Sequence, residues 1–135
     1  MAEILVDSNV LLDVMTEDPN WFDWSSSALQ KWGEMNALII NPVIYAEASI
    51  RFETVEEFEA ALMDSRLERR AIPWEAAFLA GKCFTLYRRR RGLKTPPLSD
   101  FFIGAHTLVA GMSLLTRNPA HYRAWFPRLR LIAPS

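Results

Sequence analysis

Glu3-Ile4-Leu5-Val6-Asp7-Ser8-Asn9 is the stretch on which the fold turns. Ala2 to Asp7 is an apolar run too short for a buried helix, and it ends on an acid, which predicts a buried strand. Ser8 to Val14 then begins a helix. The same grammar recurs along the chain. Ala37 to Ile40 is a second apolar strand that runs into Asn41-Pro42, a helix cap followed by proline at the first helical position, and Val43 to Phe52 reads as helix. Ser113 to Thr116 is a third strand, followed by Asn118-Pro119 and a short helical or irregular stretch, and Leu129 to Ala133 is the last strand.

Between these runs lie helical patterns. Trp21 to Glu34 carries aromatic and apolar side chains at 21, 22, 24, 28, 29 and 32, the spacing of an amphipathic helix. Thr54-Val55-Glu56-Glu57 is a capping box that opens a helix running to about Leu67. Glu75 to about Arg90 is another helix, Gly92 to Leu98 a loop, and Ser99 caps a helix from Asp100 to about Val109. Strands alternating with helices predict an α/β fold: one three-layer α/β/α domain spanning 1–135, with a central, mostly parallel sheet of about four to five strands.

The 135 residues carry a net charge of −1, which hides a split. Residues 1–60 hold twelve acids against two bases, and residues 61–135 hold four acids against thirteen bases. Such a division points to a polyanion, a metal, or both. The single Cys83 excludes an intramolecular disulfide and a multi-cysteine zinc site, and reads as a small buried side chain. The N-terminal segment lacks a basic region followed by a long apolar stretch, and no apolar run approaches a membrane span; the expectation is a cytoplasmic protein with no membrane partner.

In parallel sheets ligands sit beyond the carboxyl ends of the strands, so the polar residues falling there are the candidates. Asp7 ends the first strand, Glu47 lies in the helix after the second, Asp100 sits in the first turn of its helix, and Asn118 follows the third strand. Each has a plainer reading: a turn acid, a partner for Arg51, a first-turn acid, and a helix cap. His106 and His121 have no zinc-type spacing with each other or with Cys83. Taken together, scattered carboxylates at one sheet edge suit a hard divalent cation such as Mg²⁺, which takes oxygen ligands and can assist attack on a phosphodiester. No glycine-rich phosphate loop competes. A phosphatase using Asp7 as covalent nucleophile would want a second acid two positions on, where this chain has Asn9.

Val6-Asp7-Ser8-Asn9, Tyr45-Ala46-Glu47, Ser99-Asp100-Phe101-Phe102-Ile103-Gly104-Ala105-His106 and Leu115-Thr116-Arg117-Asn118 resemble, in this order, the motifs of PIN-domain proteins. The resemblance is to the small VapC-type toxins of prokaryotic toxin–antitoxin pairs. It covers essentially the whole chain, with Asp100 to His106 its most specific part. It implies an endoribonuclease dependent on Mg²⁺ or Mn²⁺, a homodimer, silenced by a cognate antitoxin. It also implies that Asp7, Glu47 and Asp100 are metal ligands, and that Asn118 stands where many relatives place a fourth acid. Ser8, Asn9 and Thr116 would orient those ligands. Ser99 stands where relatives often have proline.

Under that reading the basic half borders the acidic cleft. Arg88, Arg89, Arg90, Arg91, Lys94 and Arg117 are candidates for RNA phosphates. A solvated helix end is the plainer reading of the four-arginine run. An acid-depleted module that binds RNA or a partner without cutting is the alternative that Asn118 raises. Trp21, Trp24, Trp74 and Trp125 are candidates for a dimer or antitoxin interface, with core packing the simpler reading of each.

Overall fold

The computed structural model describes residues 2–91 and 97–135. Its twelve elements run β1 (Glu3–Val6), α1 (Ser8–Met15), α2 (Phe22–Gly33), β2 (Ala37–Ile40), α3 (Pro42–Ser49), α4 (Val55–Leu62), β3 (Glu68–Arg69), α5 (Trp74–Arg91), α6 (Leu98–Val109), β4 (Ser113–Leu115), α7 (Ala120–Trp125) and β5 (Arg130–Ile132). The five strands form one sheet in the order β3-β2-β1-β4-β5, every pair parallel, with helices flanking it. The expected mostly parallel sheet is thus wholly parallel.

β1 occupies the centre, paired with β2 on one side and β4 on the other. Ile4, Leu5 and Val6 are buried, as are Leu38, Ile39 and Ile40 of β2 and Leu114 and Leu115 of β4. A parallel strand covered on both faces reads as an unbroken apolar run, and burying each such side chain contributes roughly 1.5–3 kcal/mol. Phe58 of α4, Ile44 of α3 and Phe101 and Ile103 of α6 close the core over the sheet.

The helix starts follow their sequence signals. Asn41 caps α3, its side chain accepting from Ile44 N–H at 2.9 Å, with Pro42 at the first position. Thr54 caps α4 through Glu57 N–H at 3.2 Å. Three helix boundaries differ from expectation, the first being α3, which stops at Ser49 instead of reaching Phe52. α4 stops at Leu62, where Ser65 Oγ donates to the Leu62 carbonyl and Arg66 turns into the left-handed region at φ 61°. α6 starts at Leu98 with Pro97 as its cap residue, which places Ser99 inside the helix. The expected loop 92–98 lies largely outside the described residues. Cys83 is only half-buried, and Trp74 is 87% exposed, so neither is a core residue. Among the described residues no helix is long and apolar enough to cross a membrane.

Candidate active site

The strand order sets the position of the site. From β1 the chain steps outward through β2 to β3, then returns to the other side of β1 with β4 and β5. The crevice between β1 and β4 is therefore the topological switch point, where α/β sheets place ligands. Val6 pairs with Leu115, and Asp7 N–H donates to the Leu115 carbonyl at 2.9 Å. Asp7 and Thr116, the residues that follow, face each other across that crevice.

Asp7 is 4% exposed and caps α1. Its Oδ1 accepts from Ser8 N–H at 2.8 Å. Its Oδ2 accepts from Thr116 Oγ at 2.9 Å, from the Tyr122 hydroxyl at 3.1 Å and from Asn9 Nδ2 at 3.4 Å. Burial pushes the Asp7 carboxyl up to about 6, the Thr116 and Tyr122 donors pull against it, and the charges of Asp100 and Glu47 add to the rise. Burial and the neighbouring acids hold the Tyr122 phenol well above its ordinary range, so it stays a donor.

Glu47 is held at both oxygens by serines from different elements. Ser8 Oγ donates to Oε1 and Ser99 Oγ to Oε2, each at 2.9 Å. Asp100 lies in the first turn of α6, with His121 Nδ1 3.7 Å from its Oδ2. Burial raises its carboxyl first and the Glu47 charge second. Three links tie the acids into a triangle. Ser8 touches Asp7 and Glu47, Ser99, the residue before Asp100, donates to Glu47, and neighbouring His121 and Tyr122 reach Asp100 and Asp7. Farther in, Asn41 Nδ2 meets His106 Nδ1 at 3.0 Å, fastening the start of α3 to α6. Because Asn41 Oδ1 is taken by Ile44 N–H, the amide donates and His106 carries its proton on Nε2, a buried atom with no partner among the described residues. Burial lowers the His106 pKa and keeps the ring neutral.

The donor set suits a hard cation. It is all oxygen, and Asp7 and Asp100 are raised by burial and by their neighbours' charges, so a bound cation would relieve both. Among the described residues no three His, Cys, Asp or Glu side chains close into a ready-made cage.

The remaining candidates divide. Asn9 stitches the site together, its Nδ2 also 3.2 Å from Thr116 Oγ and its Oδ1 accepting from Arg117 N–H at 3.3 Å. Asn118 joins through its backbone N–H, which donates to Thr116 Oγ at 3.1 Å, while the residue itself is exposed. Arg117 is not a free cation for RNA. Its Nε donates to Asp13 Oδ2 at 2.7 Å, where Ser25 Oγ also donates at 2.7 Å, and its guanidinium lies 5.5 Å from the Trp21 ring centroid. Asp13 is 1% exposed, so this ion pair pins the loop after β4 to α1 and α2. Glu47 pairs with Ser8 and Ser99 rather than with Arg51, which is exposed. Arg88, Arg89 and Arg90 are exposed at the end of α5; Arg91 ends that helix, and Lys94 lies outside the described residues. Tyr122 gave no sign in the sequence, because its partner Asp7 is 115 residues away.

The apolar cavities lie elsewhere. One of about 700 Å³ is lined by Leu11, Met15, Leu29, Leu38 and Leu67 among others, toward the amino end of β2. A smaller one of about 330 Å³ lies beside Pro42, Tyr45 and Arg69. None of the three acids lines either.

No family profile matches the sequence, and no curated protein does. Solved structures do. VapBC2 from Rickettsia felis bound to a DNA fragment from their promoter matches with a TM-score of 0.74 at 19% identity, over 98% of this chain and 99% of that one. VapBC-1 from nontypeable Haemophilus influenzae matches at 0.71 and 16% identity, over 97% of each chain. A toxin–antitoxin complex from Klebsiella pneumoniae matches at 0.67 and 22% identity, over 98% of each. The chain has the PIN-domain fold. In this PIN-domain fold the three acids, drawn from α1's cap, α3 and α6, meet at the carboxyl edge of β1 and β4.

Proposed function

We propose that this chain is a divalent-cation-dependent endoribonuclease that hydrolyses RNA phosphodiester bonds, and that it is the toxin of a toxin–antitoxin pair. The observation that carries the reading is the triangle of Asp7, Glu47 and Asp100 at the switch point, with Asp7 raised to about 6. Asp7, through the less crowded Oδ1, and Asp100 would hold Mg²⁺ or Mn²⁺, with Glu47 beside them. The ion, when bound, supplies Lewis acidity at the phosphate and acidifies water.

This chain's own residues do the rest. Thr116, Tyr122 and Asn9 fix the Asp7 carboxylate by saturating Oδ2, which leaves Oδ1 aimed by the Ser8 N–H. Ser8 and Ser99 hold Glu47 in one rotamer. Such fixed oxygens need no reorganisation when charge develops at the phosphate. Arg88, Arg89 and Arg90 face solvent at the end of α5 and would meet the RNA backbone, each neutralised phosphate adding roughly 0.7 to the salt slope of single-strand binding.

A protein partner fits the surface. Trp74, Phe78 and Leu86 of α5 are 87%, 69% and 53% exposed, more apolar area than one helix normally leaves in water. A homodimer and a cognate antitoxin are the expected occupants, and the matched Klebsiella structure is itself a toxin–antitoxin complex.

The test is to sequence RNA 5′ ends from cells expressing the wild type or Asp100→Asn. New ends that appear only with the wild type support the reading. Identical ends from both chains remove it. RNA binding without any cleavage favours the acid-depleted binding module that Asn118 suggests.

A further inference from the structure

α7 is only six residues long, yet it places two rings beside the acids. His121 and Trp125 stand four residues apart and so share a helix face. Their rings stack, with centroids 4.9 Å apart and planes 20° from parallel. Trp125 stacks in turn on Phe101 of α6, at 4.4 Å and 18°, and Tyr87 of α5 meets Trp125 edge-on at 4.6 Å. The column starts in the core, since Phe101 is fully buried, and ends in solvent, since the His121 side chain is 60% exposed. With Trp125 against one face, the imidazole offers its other face to water.

Its location gives that face a use. His121 Nδ1 lies 3.7 Å from Asp100 Oδ2. Arg88 follows directly on Tyr87, whose ring closes the side of the column. The column therefore ties the acid at the start of α6 to α5, the helix whose last turns carry the exposed Arg88, Arg89 and Arg90. A rigid, partly exposed aromatic ledge is the arrangement by which proteins hold unpaired nucleobases, because the ring supplies a stacking surface that accepts any base.

We infer that the exposed face of His121 is a base-stacking subsite, which seats one unpaired RNA base beside the cluster of acids where the backbone would be cut. The inference rests on the ribonuclease reading and narrows its substrate to single-stranded segments or loops, since a paired base has no free face to offer. His121 acts here as a positioning residue. Its contribution is the stacked ring, so another aromatic side chain serves in its place.

The experiment uses a set of short fluorescent single-stranded RNAs, each with one abasic site at a different position. Binding is read by anisotropy in EDTA, and cleavage is read in parallel with Mn²⁺, for the wild type, His121→Ala and His121→Phe. The wild type is expected to show one position where the abasic site weakens binding roughly tenfold or raises KM by as much, with kcat changed less. His121→Ala loses the sensitivity at that position and binds the intact RNA as weakly as the wild type binds the abasic one. His121→Phe restores both, which a role in proton transfer would not allow. Sensitivity at no position, equal binding of the fully paired duplex, or failure of His121→Phe to rescue overturns the ledge, even where the wild type cuts RNA. Single-position sensitivity without any cleavage keeps the ledge and removes the catalytic reading. A chain that neither binds nor cuts RNA removes both.

Discussion

Replacing Asp7 by Asn is expected to stabilise the metal-free protein at neutral pH while abolishing its chemistry. The folded carboxyl titrates near 6 against 3.8 in the unfolded chain, because burial and the charges of Asp100 and Glu47 oppose ionisation. Between those values the folded state holds the proton more tightly than the unfolded state. The stability that Asp7 contributes is therefore fully present below about pH 4 and is lost as pH rises through 6. At about 1.4 kcal/mol per unit, ionised Asp7 costs the fold on the order of 3 kcal/mol above pH 7. Asn removes that cost but presents only one acceptor oxygen where Asp7 uses two, losing about 1 kcal/mol of capping. The net gain is about 2 kcal/mol, roughly 6 °C in Tm for a chain of this size. Below about pH 4.5 the sign reverses, because Asp7 is then neutral and only the lost cap remains. The assay is thermal unfolding in EDTA from pH 4 to 8, wild type beside Asp7→Asn, with the difference isolating this one group. A difference that does not change with pH, or a wild type that gains on the variant as pH rises, would refute the argument that Asp7 is a buried, repelled carboxylate.

Three further outcomes follow from the same geometry. Arg117→Ala leaves Asp13 buried without its cation and is expected to lower stability by about 3 kcal/mol in urea denaturation; a variant that keeps its stability and loses only RNA affinity would return Arg117 to the RNA surface. Tyr122→Phe removes one of three donors from Asp7 Oδ2. Mn²⁺ affinity measured by electron paramagnetic resonance should then fall several-fold at pH 7, with a loss of about 1.5–3 kcal/mol in stability for a hydrogen bond to a charged group. Ser99→Ala frees Glu47 Oε2 and should lower kcat more than it raises KM; a change in KM alone would mean that Glu47 serves binding rather than the reacting site.

The parts of this fold legible in the sequence are those whose signals are local. Ile4-Leu5-Val6, Leu38-Ile39-Ile40 and Leu114-Leu115 announce buried parallel strands because both faces must be apolar. β3 announces nothing. Glu68 and Arg69 are exposed edge residues that join β2 through their backbone, opposite Ile39 and Ile40, and their side chains pair with surface charges instead. The end of α4 was equally hidden, since Arg66 adopts φ 61° without a glycine or proline to mark the stop.

The site divides the same way. Asp7, Glu47 and Asp100 could be placed because each follows or sits near a strand end or helix start, and the fold brings them together. Ser8, Asn9 and Thr116 were named as orienting residues through the resemblance, and they bond to Asp7 or Glu47; the other residues that hold the acids gave no such sign. Tyr122, Ser99 and the Asp13–Arg117 pair act across 52 to 115 residues of sequence, and only the packing of α1, α6 and α7 on the sheet makes them neighbours. Arg117 shows the cost of reading by adjacency: it stands beside a candidate site residue, yet its guanidinium turns inward to the acid that burial would otherwise leave unpaired.

The central claim is that three carboxylates at the β1–β4 crevice make a cation-dependent RNA-cutting site. Its most direct measurement is cleavage of a labelled single-stranded RNA by the purified chain with Mn²⁺, against the same reaction in excess EDTA and against Asp100→Asn. Strand scission is expected from the wild type with Mn²⁺, and none in EDTA or with the variant. Scission that persists in EDTA, or an Asp100→Asn chain as active as the wild type, would contradict it.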